Sequence, residues 1–377
     1  MADARVLFVS TVSSLAGGAE RSLLELARAL PAHGWAPSLA VWRPGPLVDA
    51  FRDAGFETDV LRGEGAPPGS PLGGASLRYR RLAPLTRAAV SAFVMIQPTG
   101  PAAAWLRDVI RGRDASLVHS NCDLSVLAAA AAARRAGVPY VAHLRDHWRR
   151  WEHPRVLRRI RAADAVIVPS RHMACRFRRA GVSSQIVPNP VAGDRLGRAL
   201  PIEERAQLRA NLGVRCGFAV ALVARLDSQK NVASAIRAVA TLKVAGVCVE
   251  LLIAGRGGPA EERALRVLVG ETGTSDRVRL LGFRDDLHEW LPALDALVAP
   301  SLGEAFGRTV VEGMLAGLPV VASDDAAAPE IIRNGETGIL VSAGDVDAIA
   351  RALDALAGDP DARERIGRAA RADAAVR

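Results

Sequence analysis

The sequence predicts an α/β protein made of two doubly wound, Rossmann-like parallel-sheet domains facing a central cleft. Short apolar runs alternate with helical stretches along all 377 residues. The runs are almost continuously apolar, as strands covered on both faces are. The whole pattern occurs twice, with a turn-rich break at "PNPVAGDRLGRALP" (Pro188–Pro201). At about 150 residues per domain the length also suits two. The domains are read as 1–190 and 191–377.

In the first half, "RVLFVS", "SLAVW", "LVHS", "VPYVAHL", "AVIVPS" and "QIVPN" read as buried strands. Between the first two lies "ERSLLELARALPAHG", whose Leu23, Leu26, Ala27 and Leu30 share one helical face. Residues 63–76, "GEGAPPGSPLGGAS", read as a Gly/Pro-rich loop. In the second half the strands are "FAVALVARL", "VELLIAG", "VRLLGF", "ALVAPS", "LPVVAS" and "TGILVS". A helix is expected from Phe306 to Ala316, stopped by a left-handed Gly317 with Pro319 behind it.

Composition narrows the function classes. No apolar run approaches the roughly 18 residues of a membrane-spanning helix. The start "RVLFVSTV" lacks a signal-peptide cleavage pattern. Cys122, Cys175, Cys216 and Cys248 form no CxxC pair and are expected to be reduced, which suits a cytoplasmic chain. Residues 1–190 carry 26 Arg against 14 Asp and Glu, whereas residues 191–377 carry 23 Arg and Lys against 26 acids. The basic first half suits an anionic membrane surface, a phosphorylated acceptor or nucleic acid; the first would make the chain peripheral at the inner face of the cell membrane. The other reading is a solvated arginine-rich surface. Seven arginines fall between Arg145 and Arg161, with Trp148 and Trp151 among them, but no nucleic-acid-binding motif accompanies them.

Ligands of open α/β sheets bind beyond the carboxyl ends of strands. After "AVALVA" come Arg225 and Lys230, two cations suited to a diphosphate. After "ALVAPS" come Gly303, Glu304, Gly307 and, eight residues beyond Glu304, Glu312. On one helix that spacing leaves the two acids about 80° apart and about 12 Å along the axis. A glycine-flanked helix start offers N–H groups to an anion, and a carboxylate beside a phosphate is tolerable if the ligand also carries hydroxyl groups. A nucleotide sugar has two such sets. The alternative is that Glu304 favours the positive helix end and Glu312 is a surface residue.

The stretch "PSLGEAFGRTVVEGMLAGLPVVAS", with "ARLDSQKN", "LLIAGRGGP", "RVRLLGF" and "GETGILVSAGD", resembles glycosyltransferase family 4, the glycosyl transferases group 1, which are retaining enzymes of the GT-B fold. "GGAE", "HLRD" and "VPNPV" extend the resemblance through the first half. The resemblance implies a first domain that binds the acceptor and a second that binds the donor. Arg225 and Lys230 would hold the diphosphate, Glu304 the sugar hydroxyls and Glu312 the ribose. Backbone N–H groups at Phe306, Gly307, Arg308 and Thr309 would cradle phosphate. Gly17 and Gly18 would let the first-domain loop approach the donor, and His143 would lie beside its sugar. Glu304, His143, Arg225 and Lys230 are the implied catalytic set. The implied partners are a UDP-, GDP- or ADP-sugar and a glycan or lipid-linked acceptor, with no nucleic acid. No cofactor and no metal are expected. The implied reaction is hexosyl transfer in cell-envelope polysaccharide or glycolipid synthesis. A nucleotide-sugar epimerase and an inactive nucleotide-sugar-binding module are the alternatives.

The sequence departs from the family at Ala224, at Asn231 and at Ala326 and Ala327, where paired glycines are expected. Alanines there are expected to narrow the pocket or cost backbone freedom. The chain ends at "RAARADAAVR", before the terminal helix that commonly crosses back in this family. Among competing motifs, "GRGGPA" (Gly255–Ala260) matches a dinucleotide pattern but stands alone. His143 and His147 have metal-pair spacing, but Leu144 stands where a zinc protease has Glu. "DVD" (Asp345–Asp347) reads as a helix cap rather than a metal site. His119, after "SLV", reads as a satisfied strand-end histidine, the alternative being a residue that borders the cleft.

Overall fold

The computed structural model describes residues 4–15, 17–61, 99–145, 154–193, 196–198, 200–215 and 217–376. The loop 63–76, His147, Trp148, Trp151 and Cys216 lie outside them. The described residues fall into two compact units, one ending at Pro190 and the other beginning at Val191.

The first unit holds one parallel sheet. Its strands are β1 (Ala4–Ser10), β2 (Trp35–Val41), β3 (Glu57–Val60), β4 (Leu117–Asn121), β5 (Tyr140–His143), β6 (Ala165–Val168) and β7 (Gln185–Ile186). Their order is β3-β2-β1-β4-β5-β6-β7. The chain therefore runs outward from β1 to β3, then returns to the other side of β1, which puts a switch point between β1 and β4. Apolar side chains fill both faces, as the unbroken strand runs require. On one face Val6 and Phe8 of β1 pack with Leu39 and Val41 of β2 against Leu23, Leu47 and Phe51. "QIVPN" contributes only two residues to the sheet, because Val187 carries the last bond and Pro188 has no N–H to continue it.

The second unit repeats the plan with β8 (Phe218–Val223), β9 (Val249–Ala254), β10 (Val278–Gly282), β11 (Ala296–Ala299), β12 (Val320–Ser323) and β13 (Ile339–Val341). The order is β10-β9-β8-β11-β12-β13, so the switch point lies between β8 and β11. Alternation along β8 decides which layer each residue meets: Val220 and Leu222 join one core, Ala219 and Ala221 the other. The helix Val346–Gly358 is capped by Asp345, whose side chain accepts from the Ala348 N–H at 2.8 Å, so the "DVD" acid is a cap. Cys122 and Cys175 are thiols, but Cys248 is in a disulfide, which corrects the expectation of four reduced thiols.

Gly255 explains the "GRGGPA" motif by packing. It has φ +156°, and a Cβ there would lie 1.7 Å from the Ala224 carbonyl oxygen. The turn after β9 is laid against the turn after β8, with Ala224 N–H bonded to the Ala254 carbonyl and Leu226 N–H to the Arg256 carbonyl, both at 3.0 Å. A backbone oxygen cannot yield as a side chain can. Gly255→Ala is therefore expected to cost about 3 kcal/mol of stability, from overpacking and strain, read as a lower midpoint in chemical denaturation.

Candidate active site

The second unit has a pocket at the carboxyl ends of β8, β11 and β12, at its switch point. Lys230, Ser301, Glu304, Gly307, Thr309 and Ser323 are among the residues that line it. The turn after β8 delivers the cations. Asp227 Oδ1 accepts from the N–H groups of Gln229 (3.1 Å) and Lys230 (3.2 Å), an Asx turn that fixes the direction of Lys230. The other carboxylate oxygen of Asp227 lies 3.1 Å from an Arg225 terminal nitrogen. One aspartate thus presents both cations.

Glu304 stands on the turn after β11, and its carboxylate is ion-paired with the Lys230 ammonium. Burial opposes its ionisation. The Lys230 charge and hydrogen bond, the Arg225 charge and a Ser301 hydrogen bond outweigh that and hold the carboxyl below its usual range. Gly307, at φ +96°, turns the chain into the helix Arg308–Leu315. That helix starts two residues later than the sequence predicts, so Phe306 precedes it. The left-handed turn is the reason, since it takes Phe306 and Gly307 out of helical conformation. Gly317 ends the helix region at φ +75°, as expected. Glu312 is buried on this helix and accepts from Arg308 Nε at 2.9 Å. It is not a surface residue.

Ala326 adopts φ +54°, a left-handed conformation that an L-residue pays about 1–2 kcal/mol to hold. The missing glycine therefore does strain the turn after β12. Asn231 is also left-handed, at φ +49°. Asparagine tolerates that region far better than alanine.

In the first unit, His143 ends β5 and is buried. Its Nδ1 lies 3.1 Å from His119 Nε2 on β4, because Asn121 pairs with His143 in the register and brings the two strand ends together. His143 Nε2 is buried without a hydrogen-bond partner. Burial first, and the nearby Arg145 charge second, push both imidazoles toward neutrality, His119 down to about 3 and His143 well below its ordinary value. His119 is thus a satisfied strand histidine, as the sequence predicts, and His143 is its partner. Arg145 is buried too; its Nε donates to Asn121 Oδ1 at 2.7 Å and its guanidinium also to Asn189 Oδ1. Gly17 precedes the helix Gly18–Ala29, and the Glu20 carboxylate lies over it, 2.2 Å from where a Cβ would be.

Arg225, Lys230, Glu304, Gly307 and Thr309 thus gather in one unit, with Arg308 and Glu312 on the helix leading from them. Gly17, Gly18 and His143 belong to the other unit. Asp227, Gln229, Ser301, Ser323 and Asp325 were not singled out by the sequence; only the "LDSQ" turn chemistry of Asp227 carried a usable signal. Among the described residues, no group of three or more His, Cys, Asp or Glu is placed to hold a metal.

Two family models match this chain: Glycosyltransferase Family 4 over residues 16–195 and Glycosyl transferases group 1 over residues 209–373. The alpha-D-kanosaminyltransferase of Streptomyces kanamyceticus is 31% identical over 287 residues, 69% of this chain and 72% of that one. The chain belongs to the group 1 glycosyltransferases. The D-inositol 3-phosphate glycosyltransferase of Streptomyces scabiei is 33% identical over 286 residues, 68% of this chain. Matches to the first curated relatives span less than two thirds of their length, 44% and 64%. HepE of Anabaena, solved in complex with UDP-glucose, superposes with a TM-score of 0.81 at 24% identity, covering 99% of this chain and 95% of that one. That likeness shows the GT-B fold for this group 1 glycosyltransferase.

The buried imidazoles predict a pH dependence of folding. Their folded-state pKa values lie below the unfolded value near 6.5, so below that pH the unfolded chain binds protons that the folded chain does not. Stability is fully present above about pH 6.5 and falls toward pH 3 by about 1.4 kcal/mol per pH unit through His119, with His143 acting in the same direction. Denaturation midpoints measured from pH 7 to pH 4 should fall less steeply in His119→Gln than in the wild type.

Proposed function

We propose that this group 1 glycosyltransferase is a retaining, metal-independent enzyme that moves a hexosyl unit from a nucleotide-sugar donor to a glycan or lipid-linked acceptor. Cell-envelope polysaccharide or glycolipid synthesis is the setting that suits such an acceptor. The observation that carries the reading is the Lys230–Glu304 pair at the switch point of the second unit, with Arg225 held beside it. A UDP-sugar is the donor class favoured by the likeness to HepE, solved with UDP-glucose. The relatives named as a D-inositol 3-phosphate glycosyltransferase and an alpha-D-kanosaminyltransferase support glycosyl transfer as the chemistry.

The residues divide the work by charge. Phosphate oxygens take hydrogen bonds from Lys230 Nζ, from Arg225 and from the N–H groups after Gly307. Glu304 then exchanges part of its contact with Lys230 for hydroxyl groups of the sugar, and Glu312 accepts from the ribose. The bond from the anomeric carbon to phosphate oxygen breaks, and the electron pair leaves with the diphosphate. Lys230 and Arg225 balance the added negative charge, the role a metal fills elsewhere. The acceptor oxygen bonds to the same face of the anomeric carbon. Its proton passes to the departing phosphate, so no protein nucleophile is needed. His143 Nε2, buried and unpartnered, is available to a sugar hydroxyl.

Glu304→Ala and Lys230→Ala should each reduce transfer at least 100-fold while the far-UV spectrum stays native. A donor-consumption assay reads this, and full activity in either variant contradicts the assignment. Sugar isomerisation without acceptor would point to an epimerase instead.

The first unit is further proposed to dock on an anionic membrane. Arg134 and Arg135 end one helix, and Arg155 and Arg158 lie on the helix Pro154–Arg161 packed against it, all four exposed. No described helix is long and apolar enough to cross a membrane. Co-sedimentation with vesicles should rise with their anionic lipid content; binding independent of it overturns this reading.

A further inference from the structure

The three residues that carry Glu304 into the pocket are held on every side. The Leu302 N–H donates to the Gln229 carbonyl at 2.7 Å. The Gly303 N–H donates to Asp325 Oδ2 at 2.7 Å, and the Gly303 carbonyl accepts from Gln229 Nε2 at 2.9 Å. The Glu304 carbonyl accepts from the Ala327 N–H at 3.2 Å. At the working end the Glu304 carboxylate meets the Lys230 ammonium and a hydrogen bond from Ser301. Gly303 has φ +74°, so its peptide is turned in a way few residues allow, and both polar ends of that glycine are used. Asp325 belongs to the turn after β12, where Ala326 is held left-handed. Backbone strain of that kind survives only where surrounding contacts over-determine the conformation. Gln229 sits between Arg225, whose guanidinium donates to its Oε1 at 3.3 Å, and Lys230.

Three turns, after β8, β11 and β12, therefore meet at one glycine. We propose that Asp325 and Gln229 are positioning residues that fix the Glu304 carboxylate by gripping Gly303 from opposite sides. They set the fit of the donor sugar without setting the hold on its diphosphate. The inference rests on the donor-site reading above.

The inference separates two parts of donor recognition. A nucleoside diphosphate without sugar uses Arg225, Lys230 and the helix start; only Arg225 touches the grip, through the long 3.3 Å bond to Gln229 Oε1, and Asp227 holds it independently at 3.1 Å. The sugar needs Glu304 in place, to well under an ångström. An Asp325 side chain with no acceptor releases the Gly303 N–H and lets the turn relax. An asparagine keeps an acceptor oxygen and should keep the geometry. If Asp325 acted by its charge on the substrate, asparagine would not replace it.

The test begins with wild-type enzyme on UDP-, GDP- and ADP-sugars. Whichever donor is cleaved then serves for Asp325→Val, Asp325→Asn and Gln229→Leu. We expect Asp325→Val and Gln229→Leu to lower kcat at least tenfold. Affinity for the free nucleoside diphosphate, measured by calorimetry, should stay within threefold. Asp325→Asn should recover to within threefold of wild type. In a Glu304→Gln background, adding Asp325→Val should change residual donor hydrolysis by less than twofold, because the residue acts through Glu304. Three results would overturn the inference: Asp325→Val turning over within twofold of wild type, diphosphate affinity falling as far as turnover, or Asp325→Asn as damaged as Asp325→Val. If Asp325→Val fails to fold, Gln229→Leu decides, since the Gln229 backbone contact survives the change. A folded wild type that cleaves no donor of the panel defeats the proposed function, and this inference with it.

Discussion

The ion pair between Lys230 and Glu304 is the constraint on which the site depends. Both side chains are mostly removed from solvent, at 17% and 22% exposure. At such depth the attraction amounts to about 4 kcal/mol, and desolvating two ions costs a comparable sum. The pair is therefore a weak source of stability. What it does is hold a carboxylate and an ammonium side by side at the mouth of a helix, in a state of near-zero net charge. A diphosphate sugar is the kind of ligand that can separate them, since it offers an anion to one and hydroxyl groups to the other.

The fold makes this placement possible at a switch point. The strand order β10-β9-β8-β11-β12-β13 sends neighbouring turns in opposite directions at β8 and β11. The first of those turns brings the cations and the second the acid. Glycines allow the close approaches: Gly255 lets the β9 turn lie on Ala224, and Gly307 bends the chain into its helix. In the first unit the β4 and β5 ends bring His119 to His143 and leave the outer nitrogen of His143 unsatisfied. An unsatisfied buried nitrogen costs free energy.

Much of this was legible in the sequence because it concerns strand runs and turn residues. The apolar runs from "RVLFVS" to "TGILVS" all mark observed strands, and the Asp345 cap and the Gly317 stop appear where turn chemistry puts them. The alanines in place of paired glycines correctly signalled a strained turn at Ala326. What the sequence hid are contacts whose partner is a peptide group. Asp325 bonds to Gly303 across 22 residues and Gln229 to the same glycine across 74. Neither forms a pattern in one dimension. The helix start was misplaced by two residues because a left-handed glycine and a helix N-terminus look alike on paper. The partner of His119 is not legible because strand register, not spacing, brings it to His143. The Cys248 disulfide escaped for the same kind of reason, since no local spacing announces it.

The most direct measurement of the central claim is a crystal structure with the intact donor, or with the nucleoside diphosphate and sugar together. The account predicts that Lys230 Nζ moves onto a phosphate oxygen while Glu304 turns to sugar hydroxyls, with the Gly303 grip unchanged. A donor bound elsewhere, or bound with the Lys230–Glu304 pair still closed on itself, would contradict it.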